Sequence, residues 1–308
     1  MIKLLQGDCL VESKKIKSGS VDLILTDLPY GNMNTDGGRR LGINGWDKAI
    51  PPNKVYEIAN RILRKNGKMI LFSQEPYTTE LINEANPNVP FSYRAVWEKD
   101  TFANALGVNR NMVSFYEDIL VFSKTHDHEA LHPLREYFDK VRQFIKEPAK
   151  VINEKLGNQM SGHYFTKGAQ FAVPTKENYY KLIKHFNIDR MGDFKTFEEL
   201  HEIDQQAKDE FFPNVFNLWE GNKYKSNILK YKKDYDGYHP TQKPVALLED
   251  LIKTFSNEGD TVVDLTMGSG STGVACVNTN RNFIGFELDK EYFDVANERI
   301  NNHKRELK

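Results

Sequence analysis

The chain has 308 residues, enough for one large α/β domain of about 200–250 residues with a smaller insert or second domain. Its 42 Lys and Arg against 43 Asp and Glu leave a formal charge of −1, which excludes a wholesale basic coat for nucleic acid and confines any such contact to a local patch. Cys9 and Cys276 stand far apart without metal-ligand spacing, and no apolar run approaches the roughly 18 residues that cross a bilayer; the expectation is a soluble cytoplasmic protein with no metal site and no membrane partner.

Short β-rich runs alternate with helical patterns. Strands are predicted at 3–6, 21–26, 68–72, 93–97, 119–122, 261–265 and 283–286, and helices at 53–64, 78–84, 244–254 and 291–301. Such alternation implies a doubly wound, mostly parallel α/β sheet covered on both faces. The stretch from about 125 to 236 reads differently: it is polar and helix-rich, with candidate helices at 135–156 and 177–186, and is expected to form a separate lobe.

The run 21–26 ends in Asp27-Leu28-Pro29-Tyr30, so Asp27 should emerge at a strand's carboxyl end, where open α/β sheets hold ligands. Pro29 fixes its own φ and pushes Leu28 toward an extended conformation. The Asp27 carboxylate and a carbonyl at Leu28 or Pro29 could take both hydrogens of an exocyclic amine, while Tyr30 offers a stacking face. Near the other end, a strand leads into Asp264-Leu265-Thr266-Met267-Gly268-Ser269-Gly270, where the backbone can approach a ligand. Glu287 ends the next strand, placed to accept ribose hydroxyls. On spacing alone, Gly268, Gly270 and Gly273 also suit a dinucleotide.

Asp27 to Tyr30, then His239-Pro240-Thr241-Gln242-Lys243-Pro244, then Asp264 to Gly270, in this order, resemble the motifs of S-adenosylmethionine-dependent DNA amino-methyltransferases in the permuted arrangement that puts the acceptor half first. The resemblance implies a seven-stranded, Rossmann-like sheet with one antiparallel edge strand, and adenine N6 in duplex DNA as acceptor, since Asp at the first position leans toward adenine and Ser toward cytosine. It makes Asp27, Leu28, Pro29 and Tyr30 the catalytic turn. It assigns Asp8, Cys9, His239, Thr241, Gln242, Lys243, Asp264, Thr266, Gly268, Ser269, Gly270 and Glu287 to the cofactor. Leu28 stands where the family usually has Pro, and Leu265 and Thr266 replace Pro and Phe. The matching parts, 1–124 and 237–308, would be the catalytic domain and 125–236 an inserted target-recognition domain.

DNA contacts are expected from Arg39 and Arg40 in a glycine-flanked loop, from Lys223 and Lys225 in a strip of lysines and tyrosines at 222–233, and from Asn158, Gln159 and His163. The two amides follow Gly157 in a helix–turn–helix-like pattern that could read adenine edges, although such turns are also ordinary packing devices. Cytosine N4 as acceptor, a Rossmann oxidoreductase and a catalytically silent DNA-binding module stay open as alternatives, as do a restriction-modification role beside a cognate nuclease and a homodimer.

Overall fold

The computed structural model describes residues 1–29, 49–103, 109, 112–125, 132–166, 171–211, 214–234 and 242–306. It divides into two units, Met1–Thr125 with Asn214–Lys308, and His126–Pro213. In chain order the first unit contains β1 (Ile2–Gln6), α1 (Cys9–Glu12), β2 (Val21–Asp27), α2 (Pro52–Ile62), β3 (Leu63–Ser73), α3 (Tyr77–Asn83), β4 (Phe91–Ala103) and β5 (Ser114–Ser123). The second unit contributes α4 (Arg135–Ile145), α5 (Ala149–Leu156), α6 (Ser161–Tyr164), α7 (Lys176–Phe186) and α8 (Phe197–Phe211). The first unit then resumes with β6 (Ile228–Lys230), α9 (Val245–Phe255), β7 (Thr261–Asp264), α10 (Ser271–Asn278), β8 (Asn282–Glu287) and α11 (Lys290–Glu306).

The sheet order is β1-β8-β7-β2-β3-β5-β4-β6. All neighbours are parallel except β3–β5 and β4–β5, so β5 alone runs against the rest. Among the described residues the sheet therefore has eight strands rather than the expected seven, and its antiparallel strand lies inside the sheet rather than at an edge. The additional strand, β6, is three residues long and pairs with β4 through Val96, Trp97 and Glu98. It lies in 214–234, a segment the sequence places with the insert and the structure places with the sheet.

Alternation along each central strand builds two cores, because successive side chains leave opposite faces. Ile24, Met69, Leu71, Leu120, Phe122 and Val263 join one cluster with α2 residues Val55, Tyr56 and Ala59. Leu23, Leu25, Ile70, Phe72, Val121 and Val262 join the other with α9 residues Leu247, Leu251 and Ile252. Lys124 is buried where α2 ends, its Nζ donating to the carbonyls of Asn60 at 2.7 Å and Leu63 at 2.6 Å, which satisfies acceptors the helix end leaves open.

From β2 the chain steps to β3 on one side, and from β7 to β8 on the other, so the connections diverge between β2 and β7. That divergence is the switch point at which open α/β sheets form a crevice beyond the strand carboxyl ends. Asp27 and the loop after Asp264 stand on its two sides.

The second unit has its own core of Tyr137, Phe138, Val141, Ile152, Leu156, Tyr179, Leu182 and Leu200. The helix expected across 135–156 is two helices, broken where Lys146 takes φ 57° and Pro148 precedes α5. A further helix, α8, starts with a capping box in which Thr196 N donates to Glu199 Oε2 and Glu199 N to Thr196 Oγ1. Among the described residues no helix is long and apolar enough to cross a membrane, and no group of three metal-ligating side chains converges.

Gly273 opens α10 against α11 and β8: a Cβ there would overlap Ile300 Cδ1 and lie 2.9 Å from Phe283 Cε1. Gly273→Ala should destabilise the protein by about 1–3 kcal/mol through overpacking. Adding Ile300→Val, which removes the overlapping methyl, should recover part of that loss, giving a non-additive double-mutant cycle in urea denaturation. Strict additivity would show that the contact is relieved elsewhere.

Candidate active site

The β2–β7 ladder ends at Ile24 and Val263, and hydroxyl side chains span the gap beyond it. Thr26 Oγ1 donates to Asp264 Oδ1 at 2.7 Å, and Thr266 Oγ1, 3.0 Å from Thr26 Oγ1, donates to the backbone carbonyl of Asp27 at 2.9 Å. The residue substituting for the family's Phe thus ties the Asp27 turn to the glycine loop. Thr272 Oγ1 donates to Asp264 Oδ2 at 2.6 Å and Thr266 N to Asp264 Oδ1 at 3.1 Å, so both oxygens of this buried carboxylate hold the loop. Burial pushes the Asp264 carboxyl up to about 6, against the pull of those hydrogen bonds.

The Asp27 turn and glycine loop open into one cavity of about 1220 Å³. Its wall includes Asp8, Cys9, Asp27, Leu28, Pro29, Gln242, Lys243, Asp264, Thr266, Gly268, Ser269 and Glu287, which brings together twelve of the residues singled out from sequence. Asp8 caps α1 by accepting from Leu10 N. The Cys9 thiol is pushed up to about 12 by burial and then by the charge of Asp8, which leaves it inert as a nucleophile. Glu287 anchors the loop, accepting from Gly268 N and Asp289 N, each at 2.9 Å.

The glycines divide their work. Gly268 has φ +52° and open space where a Cβ would stand, which suits close approach by a ligand. Gly270, assigned to the cofactor from sequence, instead faces α11: a Cβ would lie 2.9 Å from Ile300 Cδ1 and 3.0 Å from Ala296 Cβ. Gly270 and Gly273 are therefore demanded by helix packing, whatever ligand the loop takes.

Lys243 is buried beside Asp27. Its Nζ lies 2.5 Å from Asp27 Oδ2, 3.2 Å from Glu117 Oε2 and 5.2 Å from the centre of the Phe72 ring. Glu117 Oε1 in turn accepts from Lys99 Nζ at 3.0 Å. Burial works to discharge Lys243, but Asp27 and Glu117 outweigh it and hold its proton more firmly than in a free lysine. Burial likewise works against Glu117, and Lys243 and Lys99 prevail, holding its carboxyl below the ordinary range. Lys99 and Glu117 escaped the sequence reading. The available signal was charge at the polar ends of two apolar strand runs, Glu98-Lys99-Asp100 and Glu117-Asp118.

A profile of the DNA methylase family matches residues 21–298. The chain belongs to the N6/N4 DNA methylase family. It is 26% identical over 301 residues to the DNA adenine methyltransferase YhdJ of Escherichia coli K12, covering 96% of this chain and 82% of that protein. It is 24% identical to the type II methyltransferase M.HpaI of Haemophilus parainfluenzae, covering 97% and 74%. Among solved structures, the M1.HpyAVI–SAM complex superposes with a TM-score of 0.55 at 21% identity, covering 98% of this chain and all of that one, which speaks for the fold.

As a member of this family the chain is an S-adenosylmethionine-dependent DNA amino-methyltransferase. Its cavity fits that cofactor on two structural grounds. Among the described residues both amide atoms of buried Gln242 lack a hydrogen-bond partner, a costly state that a polar ligand would relieve, and the Gly268 turn leaves room for one. Tyr30, Arg39, Arg40, His239 and Thr241 lie outside the described residues.

Of the residues expected on DNA, Lys223 is exposed, but Lys225 is not available as a phosphate contact. Its Nζ sits 2.5 Å from buried Asp250 Oδ1, which also accepts from Trp219 Nε1 at 2.8 Å. Asn158 holds the turn after α5, donating to Leu156 O and Asn178 Oδ1 and accepting from Met160 N. Gln159 Oε1 accepts from Asn153 Nδ2 at 3.0 Å, and His163 is half-buried, its carbonyl accepting from Ala172 N.

The raised Asp264 carboxyl has a consequence for stability. The folded chain keeps its proton to about pH 6 whereas a free carboxyl releases it near 3.8, so the folded form binds the extra proton between those values. Stability from this group is therefore lost as pH rises through that window. The unfolding free energy of the parent minus that of Asp264→Asn should fall by about 2–3 kcal/mol between about pH 4 and 6 and level off above. Urea titrations at stepped pH check this, and a pH-independent difference would refute it.

Proposed function

We propose that this methylase modifies N6 of adenine in duplex DNA and that Asp27 is its acceptor-side catalytic residue. The observation carrying this reading is the single cavity shared by the Asp27 turn and the Gly268 loop, joined by the Thr266 hydroxyl. The adenine assignment draws support from Asp27 heading the motif and from the adenine-methylating relative named above.

When bound, S-adenosylmethionine supplies a methyl carbon made electrophilic by its sulfonium. The chain's own work is on the amine, whose lone pair is delocalised into the purine. The Asp27 carboxylate accepts one N–H and a carbonyl at Leu28 or Pro29 accepts the other, which aims the lone pair out of the ring plane. Holding the acceptor in such a pose can contribute about 7–11 kcal/mol by making the encounter effectively unimolecular. The target base must leave the duplex, at a cost of a few kcal/mol recovered by contacts in the cavity. The unit His126–Pro213 is proposed to supply target recognition, with the exposed Lys223 and Lys232 tracking phosphates.

Asp27→Ala should lower methyl transfer to plasmid DNA by roughly 100- to 1000-fold, the scale seen when one hydrogen-bonding group at a reacting centre is removed. Calorimetric affinity for S-adenosylmethionine should stay within a few-fold. Turnover equal to the parent would overturn the role of Asp27. Single-molecule sequencing of the modified plasmid reads base and context, and methyl groups on cytosine N4 would overturn the adenine assignment.

A further inference from the structure

Four charged side chains from four segments meet on the wall of the cavity: Asp27 at the end of β2, Lys243 ahead of α9, Glu117 on β5 and Lys99 on β4. They form an alternating series, Asp27–Lys243 at 2.5 Å, Lys243–Glu117 at 3.2 Å and Glu117–Lys99 at 3.0 Å. The side chains of Lys243, Lys99 and Glu117 are 8%, 7% and 12% exposed, whereas that of Asp27 keeps 27%. Taking such ions out of water costs several kcal/mol each, and an apolar wall would be cheaper. The arrangement is explained if one carboxylate, the least buried of the series, has to stay charged and fixed at the cavity wall.

We propose that Lys243, held by Glu117 and Lys99, is a positioning residue that keeps the Asp27 carboxylate ionised and oriented as a hydrogen-bond acceptor for the target amine. The inference rests on the acceptor reading of Asp27 given above. It reassigns Lys243, which the sequence motif places on the cofactor, to the acceptor side of the cavity. Glu117 shares the lysine: its Oε2 lies near Lys243 while its Oε1 takes Lys99, so neither carboxylate holds the whole of the Lys243 charge. Other charged groups that face the cavity, and that contribute a background field to Asp27, are Asp264 on β7, Asp8 after β1, Lys54 on α2, Lys233 after β6, Glu287 on β8, Asp289 after it and Lys290 at the start of α11.

The test is the pH dependence of the single-turnover rate on plasmid DNA with saturating S-adenosylmethionine. Removing the cation by Lys243→Met should raise the acid limb by about 1–3 pH units, the usual effect of losing an opposite charge at this range. Glu117→Gln should move the limb the other way, because Lys243 then answers to Asp27 alone. Shifts of opposite sign are a signature that packing damage does not produce, and the near-isosteric Glu117→Gln keeps the test alive if Lys243→Met folds poorly. An acid limb unmoved in folded variants, or loss of S-adenosylmethionine affinity as the main effect of Lys243→Met, overturns the proposal. An active Asp27→Ala variant would instead sink the acceptor reading beneath it, so the two failures are told apart.

Discussion

Between β2 and β7 two residue pairs are in register, Leu23 with Val262 and Ile24 with Val263, and the cavity shared by Asp27 and the Gly268 loop opens where that short ladder stops. Beyond it the backbones part, since connections from the two strands run to opposite sides of the sheet. Parting strands leave polar backbone that water or a ligand must satisfy. Here Thr26, Asp264 and Thr266 close the inner end of the gap with side-chain hydrogen bonds, and the outer end remains as a cavity. The relative placement of acceptor turn and glycine loop is thus fixed by three side chains contributed from both ends of the sequence.

The direction of β5 matters for the same reason. In a parallel strand, the residues at the crevice are those at its carboxyl end. Because β5 is reversed, it presents its early residues there, and Glu117 and Asp118 lie opposite Trp97 and Ser73 rather than at the far edge of the sheet. Asp118 is absorbed by structure, accepting from Thr78 Oγ1 at 2.8 Å. Glu117 reaches the cavity. Internal pairing of this kind also uses up cationic side chains, as with Lys225 and Asp250, so a nearly neutral chain has fewer free positive charges than its composition suggests.

Much of the site was legible because its parts are contiguous in sequence. Asp27 follows an apolar run, Gly268 follows another, and the carboxyl ends of such runs are where ligands bind in open sheets. The core strands were equally readable, since each is a near-continuous apolar segment. Illegible were features set by partners remote in the chain. Ile228–Lys230 is too short to show a period and is a strand only because β4 offers an open edge. Nothing local distinguishes Gly270 from Gly268; the difference is Ile300 and Ala296 on α11. Lys243 and Glu117 are 126 residues apart and become one group only when β5 and the segment before α9 converge. The helix Phe197–Phe211, by contrast, carried a readable start signal in Thr196 and Glu199 that the polar composition of its surroundings obscured.

The departure of the loop from the usual family pattern acquires a physical meaning from these contacts. Leu265 turns into the apolar cluster with Ile24 and Phe286 and is 1% exposed, so it supplies packing where a proline would supply backbone restriction. Thr266 cannot offer an aromatic ring, but a ring could not donate to the Asp27 carbonyl. The exchange gains a bond across the switch point, while Met267 N, donating to Phe286 O at 2.8 Å, keeps the loop registered on β8. Leu265, Thr266 and Met267 make these contacts and still line the cavity, and Gly268 follows with open space where a Cβ would stand. Side-chain variation at 265–267 therefore changes both how firmly the two halves are joined and the wall of the cavity they share.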